Sequence, residues 1–437
     1  MGRPRVVIVG AGFAGYHAAR KLARRARGRA DIVLVNPTDY FLYVPLLPEV
    51  ATGILEPRHC TVSIPNTLPG VRLLLAEAHS LDIQRRKLSY VDPEGGHGQL
   101  EYDRLVLAAG SVNRLLPIPG IAEHAHGFRG LPEALYLRDH LTRQLELAAA
   151  TPDPDERRDR LTFVVVGAGY TGVEVCAHGQ LFTDTIARRL PGLAGEQPRW
   201  LLLDIAERVL PELDPRLSAN ADRVLRERGV EVRTRTSVQE AMREGVRLND
   251  GQFIGTRSLI WCVGVRPDPF VDSLGLPTNK GRVVVDEYLS VPDHREIYAC
   301  GDAAAVPDLT RPGEITPMTA QHAERQGRLV AVNIAASYGQ GVRRRYRHRD
   351  LGFVVDLGDG AAAANPLGVP LAGRPAKLVT RGYHLLSVPA GRSRIAIDWL
   401  LDATMPRQIV QVGLVRAPGV PLDTSSPELP VPHSHHG

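Results

Sequence analysis

The chain has 437 residues, 43% of them hydrophobic, a formal net charge of +5 and four cysteines. That length gives two or three domains with ample core, and the composition excludes a disordered, collagenous or disulfide-stapled chain. No apolar run is long enough to span a bilayer, and no aromatic-interleaved basic motif points to nucleic acid.

The chain enters a strand within five residues of Met1, so no signal peptide is expected. Val6–Val9 is β-branched and apolar, and it runs straight into Gly10-x-Gly12-x-x-Gly15. Ala18, Ala19, Leu22, Ala23 and Ala26 then recur at helical spacing over His17–Arg27, and a second apolar strand, Ile32–Val35, ends at Asn36. A strand–turn–helix–strand unit of this size fits a dinucleotide. Gly10 allows the tight turn, Gly12 lets the backbone approach a pyrophosphate, and Gly15 lets helix and strand pack closely. The helix N-terminus then presents free N–H groups and a partial positive charge to phosphates.

Residues 37–53 are Pro- and aromatic-rich without a clear period and read as a functional loop with a short helical turn. Val71–Ala76, Ser80–Ile83, Lys87–Val91 and Leu100–Tyr102 read as strands of one small antiparallel sheet. Leu105–Leu107 is a buried parallel strand whose end, Ala108-Ala109-Gly110, lets a ligand approach the carboxyl edge of the sheet. Leu131–Ala150 reads as a helix and Thr151–Arg158 as a charged linker.

The opening pattern then recurs. Phe163–Val166 leads into Gly167-Ala168-Gly169-Tyr170-Thr171-Gly172, and a helix follows. Trp200–Asp204 is the next strand, a helix spans about Asp214–Arg228, and Leu259–Gly264 repeats the small-residue strand end at Gly110. One glycine fingerprint is a weak signal; two in one chain imply two dinucleotides. The fold class is therefore α/β, with two Rossmann-like domains and a divergent C-terminal region of amphipathic helices.

Ile297–Cys300 is a strand ending in Gly301-Asp302, and a helix runs from about Met318 to Ser337. The last hundred residues hold two amphipathic stretches, Pro375–Val388 and Arg392–Leu401, and the Pro-, Ser- and His-rich tail from Ala417 reads as disordered. The expected domains are 1–115 with 281–345, then 116–280, then 346–416, then the tail 417–437. Basic runs such as Arg343–Arg349 read as solvated surface, with attraction to an anionic membrane as the sharper alternative. Cys60, Cys176, Cys262 and Cys300 have no metal-site or dithiol spacing, so reduced thiols in a cytoplasmic protein are expected, with any electrons leaving a bound cofactor directly rather than through a dithiol.

Four stretches are more specific than the glycine turns: Tyr40–Gly53, Trp261–Pro267, Gly281–Asp286 and Thr319–Gly327. With those turns they make the chain, from Val6 to about Gly327, resemble the type II NADH:quinone oxidoreductases. The resemblance implies FAD on the first unit, NADH on the second and electron transfer to a quinone, menaquinone or ubiquinone. It implies that Gly10, Gly12, Phe13, Ala14 and Gly15 cradle FAD, with Ala109, Gly110, Gly301 and Asp302 beside it. Asn36 stands where the family has an acid for the FAD ribose. On the NADH side it implies Gly167, Gly169, Tyr170, Thr171, Gly172 and Gly264, with Asp204 favouring NADH over NADPH and Arg208 softening that choice. Glu174 matches a family glutamate near the nicotinamide, and Gln321 falls where the family places its quinone pocket. Arg325 departs from a usual glutamine.

The C-terminal helices are where the family anchors peripherally to the inner face of the cell membrane, with Trp399 at headgroup depth; a homodimer contact is the other use for such faces. No metal is expected. The rival readings are an NADH-dependent reductase of rubredoxin or ferredoxin and a redox-sensing flavoprotein with incidental turnover.

Overall fold

The computed structural model describes residues 2–348, 351–417 and 420–422. The chain packs as two compact units.

The first unit comprises Met1–Leu42, Thr61–Val112 and Val265–Arg349. Its six-stranded sheet runs Ser290–Val291, His294–Ala299, Arg104–Leu107, Arg5–Val9, Asp31–Asn36, Arg72–Leu75. All neighbours are parallel except the Ser290–Val291 edge. Val6, Val7 and Ile8 are wholly buried, as a strand covered on both faces must be. The helices Phe13–Ala26 and Ala320–Ser337 pack so closely that a Cβ on Gly327 would lie 2.0 Å from the Ala14 carbonyl oxygen.

Arg72–Leu75 differs from expectation. It extends the main parallel sheet beside Asp31–Asn36, and only Glu77–Asp82, Lys87–Val91 and His97–Glu101 form the small antiparallel sheet. The strand is a half-covered edge, exposed at Arg72 and Leu75 and half-buried between them, so its sequence lacks the continuous burial that marks the central parallel strands. The basic run also has a structural use here. Asn333 clamps the backbone N–H and carbonyl of Arg344, Arg343 lies over the Tyr288 ring and pairs with Asp286, and Arg345 pairs with Glu287. Arg349 lies outside the described residues.

The second unit comprises Tyr43–Cys60, Asn113–Gly264 and Asp350–Gly437. Its parallel five-stranded sheet runs Ala125–Gly127, Ser258–Trp261, Thr162–Val166, Arg199–Leu203, Glu231–Arg233. The helix Tyr170–Ala187 lies on this sheet with Gly179 against Trp200, where a Cβ would come within 2.3 Å of the indole. The expected linker contains a helix, Pro154–Arg160, because Asp153 caps it, Pro154 starts it and Glu156–Arg160 bridges one turn. Residues 43–60 hold a short helix, Leu47–Ala51, buried on all sides.

The C-terminal part of this unit is a three-stranded sheet, Val354–Asp356, Ala362–Ala364 and Leu371–Ala372, followed by helices Gly373–Ser387 and Arg392–Thr404. Beyond them Leu422 is buried with Val164, Leu201 and Trp261, and its carbonyl accepts from Asn113 at 3.3 Å. Leu422, within the expected tail, is thus anchored in a core; residues 418–419 and 423–437 lie outside the described residues. Among the described residues no helix is long and apolar enough to cross a membrane.

Candidate functional site

In the first unit, Gly10 adopts φ +91°, and a Cβ there would sit 2.4 Å from the Ala108 carbonyl. A Cβ on Gly15 would sit 1.8 Å from the Gly10 carbonyl. Both positions are filled by the protein itself. Gly12 is different: nothing lies within 4 Å of where its Cβ would be. Gly12 caps the Phe13–Ala26 helix with no side-chain cap and no acid in the first turn, so the first N–H groups remain available to an anion. Phe13 turns aside, its ring edge-on to Phe41 at 5.0 Å.

Asn36 is committed to this turn. Its Oδ1 accepts from the Ala11 N–H at 2.7 Å, and its Nδ2 donates to the Thr38 carbonyl and hydroxyl at 3.0 Å. Gly110 takes φ +81° at the neighbouring strand end, just after Ala109. Gly301 is held by its N–H donating to Gln326 Oε1 at 2.8 Å. Its own Cβ position would press on Ala14 at 2.9 Å. Asp302 follows, buried, with Oδ2 accepting from Ser111 Oγ at 2.7 Å; burial pushes its carboxyl above the usual range.

The same construction recurs in the second unit. Gly167 takes φ +104° and its Cβ would meet the Cys262 carbonyl at 2.3 Å, while Gly172 would meet the Gly167 carbonyl at 1.8 Å. Gly169, like Gly12, faces open space and caps its helix without a side chain. Asp204 does what Asn36 does: one oxygen accepts from Ala168 N–H and the other from Ala206 N–H at 2.7 Å. Thr171 is exposed at the helix start, and the Tyr170 ring stacks on Phe353 at 5.4 Å. Gly264 takes φ +91° at the strand end equivalent to Gly110.

One turn into that helix, Glu174 Oε1 accepts the Asp356 N–H at 2.8 Å, and burial raises its carboxyl to about 8. Asp356 is also desolvated, but His178 and Lys377 outweigh this and hold it well below the carboxylate range. Lys377 Nζ reaches both its oxygens, at 2.6 and 2.5 Å. Gln321 is a partly buried residue in the first turn of the Ala320–Ser337 helix of the first unit. Arg325 leans toward it at 3.5 Å and toward His348 Nδ1 at 3.0 Å.

Residues 4–327 match the family model for pyridine nucleotide-disulphide oxidoreductases. The chain is 30% identical to the internal alternative NAD(P)H-ubiquinone oxidoreductase A1 of Solanum tuberosum, across 94% of this chain and 88% of that one. It is 31% identical to the type II NADH:quinone oxidoreductase NdhA of Mycobacterium tuberculosis, across 90% and 86%. The chain belongs to this oxidoreductase family. Within it, the chain falls among the type II NADH:quinone oxidoreductases. Its fold matches that of NDH2 from Plasmodium falciparum, solved in complex with NADH, at TM-score 0.86 and 19% identity over 94% of this chain and 100% of that one.

Two features of this type II oxidoreductase escaped the sequence reading. Ser111, Arg282 and Gln326 surround Asp302 and Gly301; Arg282 and Gln326 lay in the distinctive stretches Gly281–Asp286 and Thr319–Gly327, but nothing in those stretches marked the two residues, and Ser111 lay in none. The carboxyl cluster of the second unit joins Glu49, Glu174 and Asp356 from three distant stretches. Glu49 is buried, and burial lifts its carboxyl to about 6. Trp399, expected at a membrane surface, is instead 5% exposed and donates its indole N–H to Glu49. A tryptophan on an amphipathic helix carries the same sequence signature in either role; only the partner for its N–H separates them.

Proposed function

We propose that the chain is an FAD-dependent NADH dehydrogenase that passes two electrons from NADH through FAD to a quinone. The observation that carries this reading is the pair of glycine turns, each with its middle glycine facing open space at an uncapped helix N-terminus. FAD, when bound, supplies the hydride and electron chemistry that no side chain can.

The chain's own residues then have the following roles. Gly12, Phe13, Ala14 and their free N–H groups receive the FAD pyrophosphate, with Gly10 and Gly15 shaping the turn. Asp302 accepts from a hydroxyl of the cofactor's polyol, and Ala109, Gly110 and Gly301 leave room beside it. Asn36 orients the turn through Ala11. Gly169, Tyr170 and Thr171 receive the NADH pyrophosphate between Gly167 and Gly172, with Gly264 at the strand edge. Asp204 disfavours a 2′-phosphate by charge while bracing the turn. Glu174, neutral at pH 7, offers a carboxyl O–H without adding negative charge near the nicotinamide. Gln321 faces the quinone. The first unit is the FAD domain, and residues 113–264 form the NADH domain.

The exposed apolar side chains of the two C-terminal helices, Leu378, Leu386, Ile397, Leu400 and Leu401, support a peripheral seat on an anionic membrane at the inner face of the cell. A homodimer covering the same face is the alternative that flotation and sedimentation separate. The enzymatic reading is tested by anaerobic stopped-flow. NADH should bleach the bound flavin, and a menaquinone or ubiquinone analogue should restore its colour. Restoration only by a protein acceptor would make the chain a ferredoxin- or rubredoxin-type reductase.

A further inference from the structure

Beside Asp302 lies a buried cation whose hydrogen-bonding capacity is mostly unused. Arg282 is 5% exposed. Its Nη1 donates to the Thr316 carbonyl at 2.7 Å, but Nε and Nη2 meet no acceptor among the described residues. A buried guanidinium hydrogen without a partner forfeits its hydration for nothing, and native interiors rarely leave one so. The brace to Thr316 explains one arm of the fork and leaves the rest unexplained.

The surroundings define what is missing. Arg282 opens the strand Arg282–Val284, which pairs in parallel with Ala304–Ala305, a strand that begins two residues after Asp302. The two charges act on each other: Arg282 draws the Asp302 carboxyl down against burial, and Asp302 supports the Arg282 charge against burial. Yet no hydrogen bond or ion pair joins the two side chains; Asp302 bonds Ser111, and Arg282 bonds Thr316. A free phosphate would satisfy Arg282 and be repelled by Asp302. A chain carrying both hydroxyls and acceptor oxygens satisfies both, donating to the carboxylate and accepting from the guanidinium.

We propose that Arg282 is a binding residue for FAD, its Nε and Nη2 donating to oxygens of the cofactor's polyol–phosphate chain while Asp302 accepts from a hydroxyl of the same chain. This rests on the reading that the first unit holds FAD. It adds a buried cation from outside the glycine turn, and it gives Gly281-Arg-Val-Val-Val-Asp286 a chemical use beyond strand formation.

The test is titration of deflavinated protein with FAD, followed by flavin fluorescence, for the wild type, Arg282→Met and Arg282→Lys. Methionine keeps length and removes every donor; lysine keeps the charge and loses the planar fork. Arg282→Met should weaken FAD binding roughly tenfold or more, with Arg282→Lys between it and the wild type. Thermal unfolding of the apo-proteins is the control: a purely structural arginine would lower apo stability and leave the FAD affinity of the folded fraction unchanged. FAD affinities within twofold of the wild type overturn the proposal. Should the methionine variant not fold, the lysine variant decides, because unchanged affinity without the fork is equally fatal. A wild-type protein that takes up no FAD sinks the FAD reading itself, which is a different result from a wild type that binds while the variants bind as well.

Discussion

The indole N–H of Trp399 donates to the Glu49 carboxyl at 2.6 Å, tying the last helix of the second unit to the short helix Leu47–Ala51. The tie is one of several. Asp398 accepts from His59 at 2.6 Å and from the Glu56 N–H at 3.1 Å, and the Tyr43 hydroxyl meets His384 Nδ1 at 3.1 Å. Trp399→Phe keeps an aromatic ring and removes the donor, leaving a buried carboxyl short of a partner. The expected loss is about 1–3 kcal/mol of unfolding free energy, read from denaturant midpoints. Adding Glu49→Gln should cost less in this background than in the wild type, because the two residues share one interaction. Strict additivity would disconnect them.

Gly12 and Gly15 should fail differently. A side chain at Gly12 enters open space, so Gly12→Val should fold and bind no FAD. A Cβ at Gly15 would fall 1.8 Å from the Gly10 carbonyl, so Gly15→Ala should disturb the fold itself. Far-UV circular dichroism, read together with the visible absorption of bound oxidised flavin, separates the outcomes. A Gly12→Val protein that keeps its yellow cofactor would remove that turn from the site.

Much of this was legible in the chain itself. Both glycine turns carry their geometry in the sequence, because a left-handed Gly10 or Gly167 and a packed Gly15 or Gly172 are local needs. The parallel strands around them are legible for a similar reason: strands buried on both faces must be continuously apolar. The edge strand Arg72–Leu75 was not, since a short, half-covered strand does not reveal its pairing direction. Nor was the carboxyl cluster. Glu49, Glu174 and Asp356 meet only through the tertiary fold, and no spacing encodes that. Trp399 shows the same limit, for the helix carrying it is amphipathic whether its indole meets lipid or a carboxyl.

Glu174 gives a pH prediction with a definite sign. Burial lifts its carboxyl to about 8 from an ordinary value near 4.5. The folded state therefore holds a proton that the unfolded state has released across that interval. Stability contributed by the neutral form is full below the unfolded value and is lost as pH rises toward 8. Glu174→Gln, which cannot ionise, should flatten the fall in stability between pH 5 and 8, followed by unfolding midpoints at each pH. A variant whose profile parallels the wild type would mean that Glu174 is ionised at neutral pH.

Asp204 joins specificity to stability. Its carboxylate accepts two backbone N–H groups, from Ala168 and Ala206, so it braces the turn as well as marking the ribose position. Asp204→Asn keeps one strong acceptor and removes the charge. It should narrow the preference for NADH over NADPH in flavin reduction while costing about 1 kcal/mol of stability. Asp204→Ala should cost more, because both N–H groups are orphaned. A selectivity unchanged in the asparagine variant would leave Asp204 with the bracing role alone.

The exposed leucines of the last two helices decide between lipid and a second subunit. Leu378 is 76% exposed, Leu386 75% and Leu400 62%. Replacing all three by serine removes apolar contact area without touching a core, so folding stability should change by no more than about 0.5 kcal/mol per site. Membrane affinity should respond far more strongly. Each buried methylene is worth about 0.8 kcal/mol, so three lost leucines remove several kcal/mol from an interfacial seat. Flotation with anionic liposomes should therefore recover the wild type and leave the triple variant in the soluble fraction. NADH should still bleach the bound flavin of the variant, since none of the three residues belongs to either glycine turn. If the variant floats as the wild type does but sediments as a smaller particle, the face is a subunit contact and the membrane reading fails.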